Sequence, residues 1–271
     1  MTSTVTESPA VLAAAERLAE AARTGAPAAP VRDLIGSDDI DAAYAVQRLG
    51  VRRRVESGAR VVGRKIGLTA PAVQRQLGVD QPDFGVLFAD MDVRTPAADR
   101  PRLLQPKIEA ELAFVLAADL DADDLDAVSV RDAVDYAVAA LEIVDSRIAR
   151  WDITFGDTVA DNASSGWFVL GERQLSVADF EPWEVDMSMR VDGEIVSTGT
   201  GSACLGDPLN ALAWLAQTAR ALGDPLRAGE IVLSGALGPM APLRPGAHVH
   251  SEISCGTRTL GTVDFIREET A

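Results

Sequence analysis

The stretch from Lys107 to Leu116, KIEAELAFVL, constrains this chain more than any other. It reads as a β-strand, and in a strand residues i and i+2 point to the same face. Glu109 and Glu111 therefore project side by side, while Ile108, Ala110 and Leu112 face the other way into apolar packing. Two adjacent carboxylates repel, and one should hold its proton unless a cation lies between them. A hard divalent ion with oxygen ligands resolves the conflict. The plainer alternative is a strand side turned to solvent.

A third acid, Glu142, sits in the apolar run Ala139-Ala140-Leu141-Glu142-Ile143-Val144, at the end of a segment from Val128 to Leu141 that reads as a helix. It is either buried, which needs compensation, or placed on the exposed stripe of that helix. Three carboxylates would suit magnesium or manganese and leave positions open for water and substrate. Asp145 and Arg147 follow and are expected to pair.

Charge sharpens the argument. The chain has 271 residues, 47% of them hydrophobic, and a formal net charge of −16. It can bury a large core, but it repels nucleic acid and anionic membrane surfaces. Aromatic residues are sparse and not interleaved with basic ones, so stacking on nucleic acid has no support either. An enzyme with an anionic substrate would need a local cationic centre inside this acidic body: a metal ion, or a buried lysine or arginine. Lys65 and Lys107 are the only lysines; arginine supplies every other cation. A compact ammonium that arginine cannot imitate is one reason to retain them, and drift is the other.

Around these residues the chain reads as α+β, with a mixed sheet carrying the site and helices at its edges. Residues 9–24 and Asp39 to Gly58 have helical spacing, so residues 1–58 form a small helical N-terminal region and 59–271 the catalytic domain. Ala59 to Leu68 and Trp167 to Leu170 read as strands, and Pro71 to Leu77 as a short helix. Glu184 to Val196 reads as a hairpin turning at Asp192-Gly193. Asp207-Pro208 opens a helix through Leu222, and Gly229 to Ser234, His248 to Ser254 and Thr259 to Ile266 read as further strands.

Weaker signals are set aside. His248-Val249-His250 places two imidazoles on one strand face without an acid nearby in sequence. Asp119 to Asp124 resembles the opening of a calcium loop but lacks its glycine and final glutamate. Gly199-Thr200-Gly201 lacks a dinucleotide-binding frame. Cys204 and Cys255 are expected to be buried apolar residues rather than a disulfide. No apolar run approaches a membrane span, and Met1 to Pro9 lacks the features of a secretory signal. A cytoplasmic protein is expected.

Six separated motifs agree in order. They are Gly63-Arg64-Lys65-Ile66-Gly67-Leu68-Thr69; Gln76 to Gly85, QLGVDQPDFG; Glu109-x-Glu111; Glu142-x-x-Asp145-Ser146-Arg147-Ile148; Asp161-Asn162-Ala163-Ser164-Ser165; and Ser234-Gly235-Ala236-Leu237-Gly238-Pro239-Met240. From about residue 40 to residue 267 the set resembles the 2-keto-4-pentenoate hydratases of the fumarylacetoacetate hydrolase superfamily. The resemblance implies a mixed β-roll or β-sandwich core and a homo-oligomer, and raises association with a downstream or sister enzyme of the same pathway as a further expectation. It implies magnesium or manganese held by Glu109, Glu111 and Glu142. It implies Lys65 as electrostatic stabiliser or proton donor and Asp83 as general base, with Asn162, Ser164, Ser165, Leu237 and Gly238 near substrate. Which of Ser164 and Ser165 faces the site stays open.

The expected substrate is a small 2-oxo or 2-hydroxydienoate acid. 2-Hydroxypenta-2,4-dienoate would tautomerise and take up water at C4, giving 4-hydroxy-2-oxopentanoate. A 4-oxalocrotonate decarboxylase of the same superfamily is the alternative. A catalytically silent partner-binding subunit is a third reading, disfavoured because every expected ligand and Lys65 are retained.

Overall fold

A computed structural model of the chain describes residues 8–70, 74, 79–96 and 100–268. Apart from Gln74, the short helix expected from Pro71 to Leu77 falls outside the described residues.

The N-terminal helical region forms as its spacing implies. Helix α1 (Pro9–Thr24) starts at Ser8, whose hydroxyl accepts from Val11 N, and ends at Gly25 in the left-handed conformation. A short α2 (Arg32–Ile35) leads to α3 (Ile40–Glu56), capped by Asp39. These helices do not stand apart. Val11, Leu18, Tyr44, Val46 and Leu49 share one apolar cluster with strand residues such as Ile66, Phe84, Ile108 and Leu141. Tyr44 stacks on Phe84 with ring centroids 5.1 Å apart, and Gln47 Nε2 donates to the carbonyls of Phe84 and Val159.

The main body holds two sheets. The larger, seven-stranded, runs in the order β2-β1-β8-β3-β4-β5, with β9 on the end of β3. Its strands are β1 (Val61–Gly67), β2 (Asp83–Phe88), β3 (Lys107–Leu116), β4 (Val134–Val144), β5 (Ser165–Leu170), β8 (Ile231–Leu233) and β9 (Ala241–Pro242). The sheet is mixed, since β1 and β8 are parallel while β8, β3, β4 and β5 alternate. The smaller sheet follows the order β11-β10-β6-β7, from β6 (Asp186–Val191), β7 (Glu194–Thr200), β10 (His248–Cys255) and β11 (Arg258–Ile266). Its β6–β7 hairpin turns at Asp192 and Gly193, both at positive φ, as that sequence requires.

The alternation of β3 decides how the sheets stack. Ile108, Ala110, Leu112 and Phe114 pack in the large cluster with Met187, Met189, Val249 and Ile253 of the smaller sheet. The opposite face of the larger sheet has its own apolar cluster around Phe88, Ala113, Val138, Phe168 and Leu233, and Glu109 and Glu111 lie on that side of β3. Among the described residues further helices are α4 (Ala127–Asp132), α5 (Phe155–Ala160) and α6 (Pro208–Ala221), the last capped by Asp207 with proline at its first turn.

One expected element is corrected. The segment from Val128 to Leu141 is not a single helix: α4 ends at Asp132, and residues 134–144 form β4, paired with β3 on one side and β5 on the other. Its alanines raise helix propensity, but a run buried on both faces between two strands satisfies the backbone better as a ladder. Small residues there also let neighbouring layers approach. Among the described residues no helix is long and apolar enough to cross a membrane.

Asp157 on α5 is fully buried and ties the N-terminal segment to the body. It accepts from Val31 N, Arg32 N and Arg32 Nη1, and from both Thr154 N and Oγ1, all at 2.8–2.9 Å. Asp157→Ala strands those donors and is expected to cost about 3 kcal/mol. Thermal melts should show a fall of roughly 6–10 °C; an unchanged melting temperature would remove Asp157 as a tie.

Candidate metal centre and active site

Strand register brings the acids together. Glu109 on β3 lies directly opposite Glu142 on β4, and Glu111 lies opposite Ala140, one pleat further along. The three carboxylates each offer an oxygen within 4.8 Å of the others. Glu142 is therefore a buried strand residue, 1% exposed, and not on the outer stripe of a helix. Glu111 is wholly buried and accepts from Gly235 N at 2.8 Å.

Lys65 and Asp83 arrive from β1 and β2. Both are 2% exposed. Lys65 Nζ stands 3.1 Å from Glu142 Oε1. Gly67 allows the close approach: a Cβ there would sit 2.2 Å from Asp83 Oδ1 and 3.4 Å from Lys65 Nζ. A side chain at that position would collide with the Asp83 carboxylate.

Four buried carboxylates thus surround one ammonium. Burial alone would lower the Lys65 pKa, but Glu142, Asp83, Glu109 and Glu111 outweigh it and hold the ammonium protonated. Burial pushes Asp83 up to about 6, against the pull of Lys65 and a bond from the Thr158 hydroxyl. Glu109 is pushed up to about 8 by burial and by Glu142, and Glu111 is raised by burial, Glu142 and Glu109. Neither oxygen of Glu142, nor Glu111 Oε1, nor Asp83 Oδ1 has a well-aligned hydrogen-bond partner among the described residues. An all-oxygen set of three crowded carboxylates with orphaned atoms fits a hard divalent cation such as magnesium or manganese.

The other expected site residues divide. Ser164 is buried, with Oγ 3.2 Å from Thr158 Oγ1. The Asn162 amide is taken up by the backbone of Val86, and Ser165 Oγ donates to Asn162 O. Leu237 is buried, and its N–H donates to Ala110 O; Gly238 lies against Met187, Thr198 and Ser197. The loop amides of Gly235 and Leu237 therefore serve the protein itself. Asn162, Ala163 and Ser164 all hold positive φ, 54°, 51° and 52°, a conformation that costs on the order of 1–2 kcal/mol per residue for non-glycine types.

Other expectations change. Arg147 does not pair with the Asp145 side chain. It grips Asp161 through Nε and backbone N, and donates Nη1 to the carbonyls of Asp145 and Ser165. The Asp145 carboxylate instead caps Leu104 N and Gln105 N. The local spacing suggested the nearer acid; the sheet brought the farther one. Thr158, which faces Asp83, had no distinguishing signal beyond its place in the run Asp157 to Asn162. Lys107 lies over the Trp151 ring, 4.3 Å from its centroid. Cys204 is buried but Cys255 is only partly covered. Strand pairing supplies the acid that His248 and His250 lack in sequence, since both rings meet Asp264 Oδ1, at 3.2 and 2.9 Å. Asp119, Asp121 and Asp123 bind arginines, Arg227 and Arg220.

The chain resembles known proteins over most of its length. The chain is 54% identical over 239 residues to the TodF product hydratase of Pseudomonas putida F1, covering 88% of this chain and 89% of that protein. It is 54% identical over 234 residues to a 2-keto-4-pentenoate hydratase of Paraburkholderia xenovorans, covering 86% and 87%. Among solved structures it is similar to the 4-oxalocrotonate decarboxylase from Pseudomonas putida G7 complexed with magnesium and adipate. There the TM-score is 0.85 at 31% identity, over 94% of this chain and 95% of that one. The model of the fumarylacetoacetate (FAA) hydrolase C-terminal family matches residues 73–265. With a β-roll body, a three-carboxylate centre and that match over most of its length, the chain belongs to the fumarylacetoacetate hydrolase C-terminal family.

Proposed function

We propose that this protein is a divalent-metal-dependent hydro-lyase that adds water to 2-hydroxypenta-2,4-dienoate or a close homologue, giving 4-hydroxy-2-oxopentanoate in aromatic catabolism. The observation that carries the reading is the convergence of Glu109, Glu111, Glu142, Lys65 and Asp83 in one buried centre. The identity of 54% to hydratases over most of the chain supports it.

Glu109, Glu111 and Glu142 would hold magnesium or manganese. The bound ion would act as a Lewis acid toward the substrate's carboxylate and 2-oxygen and stabilise enolate charge. Hydration needs a proton moved from the 2-hydroxyl to C5, and then water added across C3 and C4, its hydroxyl to C4 and a proton to C3. Asp83, raised to about 6, is ionised at neutral pH yet basic enough to accept a proton. Lys65 is held protonated in the free protein and would stabilise negative charge on the substrate oxygens or donate a proton to them. Ser164 and the Leu237–Gly238 loop would shape the substrate's place.

The deciding experiment follows metal-stripped protein with and without added magnesium or manganese. Loss of dienoate absorbance with 4-hydroxy-2-oxopentanoate formed, and no carbon dioxide from 4-oxalocrotonate, is the expected result. Carbon dioxide release would make it the decarboxylase that its structural neighbour is.

Glu109→Gln should weaken metal binding by more than about 100-fold and abolish turnover, with the melting temperature preserved. Titration calorimetry with manganese checks this, and wild-type affinity would sink the ligand assignment. Lys65→Ala should lower kcat on the order of 10²–10³-fold while metal still binds; unchanged kinetics would remove Lys65 from the mechanism. The pH dependence follows from the raised carboxylates. A carboxyl whose folded pKa exceeds its unfolded value stabilises the fold when protonated, and that contribution is lost as pH rises through the folded value. The metal-free protein should therefore melt at least about 5 °C lower near pH 8 than near pH 5. Saturating magnesium should remove most of that difference. A flat metal-free profile would contradict the burial of these acids.

A further inference from the structure

β2 and β5 are the outer strands in the order of the larger sheet, and the turn that enters β5 comes back onto β2. Asn162 meets β2 there as a neighbouring strand would. Its Oδ1 accepts from Val86 N at 2.8 Å and its Nδ2 donates to Val86 O at 2.9 Å. The backbone continues the seam: Asn162 O accepts from Ser165 Oγ at 2.7 Å and sits 2.4 Å from where a Cβ on Gly85 would be. A side chain at Gly85 would open the join.

The turn that presents this amide is left-handed over three consecutive residues, and asparagine tolerates that conformation better than most. It is held from behind. Ser164 N donates to Asp161 O, Asp145 N donates to Ser164 O, and Arg147 and Ser146 fasten the Asp161 carboxylate. The join lies three residues along β2 from Asp83. Two residues beyond Asn162, Ser164 Oγ lies 3.2 Å from Thr158 Oγ1, and the Thr158 hydroxyl is near enough to Asp83 to oppose the rise in its pKa.

We propose that Asn162 is a positioning residue: its amide pins the two edges of the sheet together and so fixes Asp83 against Lys65 and the three glutamates, without itself touching substrate. This rests on the reading of Asp83 as the proton-transfer group. Bonding both backbone groups of Val86 fixes the plane of the Asn162 amide against β2. Small displacements of a reacting group are costly, and a shift of about 1 Å can cost 10²-fold in rate.

Glycine at position 162 keeps the left-handed turn without strain and removes only the amide. Asn162→Gly should lower kcat on the order of 10–100-fold while KM and magnesium affinity stay within about threefold. Hydrogen exchange should show the Val86 amide losing protection. Asn162→Asp keeps the acceptor for Val86 N–H and loses the donor, and should give an intermediate fall in kcat at unchanged KM. Ala163→Gly relieves the same turn but leaves the amide in place, and should keep kcat within about twofold. A folded Asn162→Gly with wild-type kcat overturns the proposal. A raised KM at unchanged kcat also overturns it, because it makes Asn162 a substrate contact. Wild-type protein inactive on both the dienoate and 4-oxalocrotonate sinks the functional reading and this inference together, whereas a failure in the variants alone sinks only the inference.

Discussion

The structure turns on four carboxylates buried around one lysine. Glu109, Glu111, Glu142 and Asp83 all lie at or below 9% exposure, and Lys65 is the cation among them. Like charges in a medium of low dielectric repel strongly, so the surrounding fold must hold them against that force. It does so with rigid parts: adjacent strands set the spacing of Glu109 and Glu142, and a Gly235 amide fixes Glu111. This electrostatic tension is also what prepares the site for a divalent ion, whose charge relieves it.

The scaffold that resists this force is a sheet folded back on its own edges. The apolar half of β3 and β4 packs on the second sheet, so their other face is free to carry polar side chains. β1 and β2 bring Lys65 and Asp83 to that face from strands distant in sequence. The N-terminal helices steady β2 from outside, through Tyr44 against Phe84 and Gln47 to Phe84 O. The turn at Asn162 joins the far edge. A site built on strands clamped at both ends holds its geometry better than one carried by loops.

Much of the site was legible because its signals are local. Glu109 and Glu111 follow from strand periodicity, and Lys65 stands out because lysine is so rare in the chain. The helix from Pro208, the hairpin at Asp192-Gly193 and the strand pair 248–254 and 259–266 follow from caps, turn residues and alternation. The failures have a shared cause. Alanine-rich Val134 to Val144 looks helical in isolation, and it is a strand because two neighbours satisfy its backbone. Arg147 looks like the partner of Asp145 and reaches Asp161 instead. The acid between His248 and His250 comes from the next strand.

The sequence by itself determined the α+β class, the paired carboxylates on one strand face, the acidic body that demands a cationic centre, and the order of motifs that marks the family. Periodicity, composition and caps are properties of neighbouring residues, so they can be read along the chain. Only the tertiary structure decided that Glu142 faces Glu109, that Lys65 and Asp83 close over them, and that Asn162 serves the backbone of β2. Those are distances between strands, set by sheet register and closure, and no single stretch of chain encodes them.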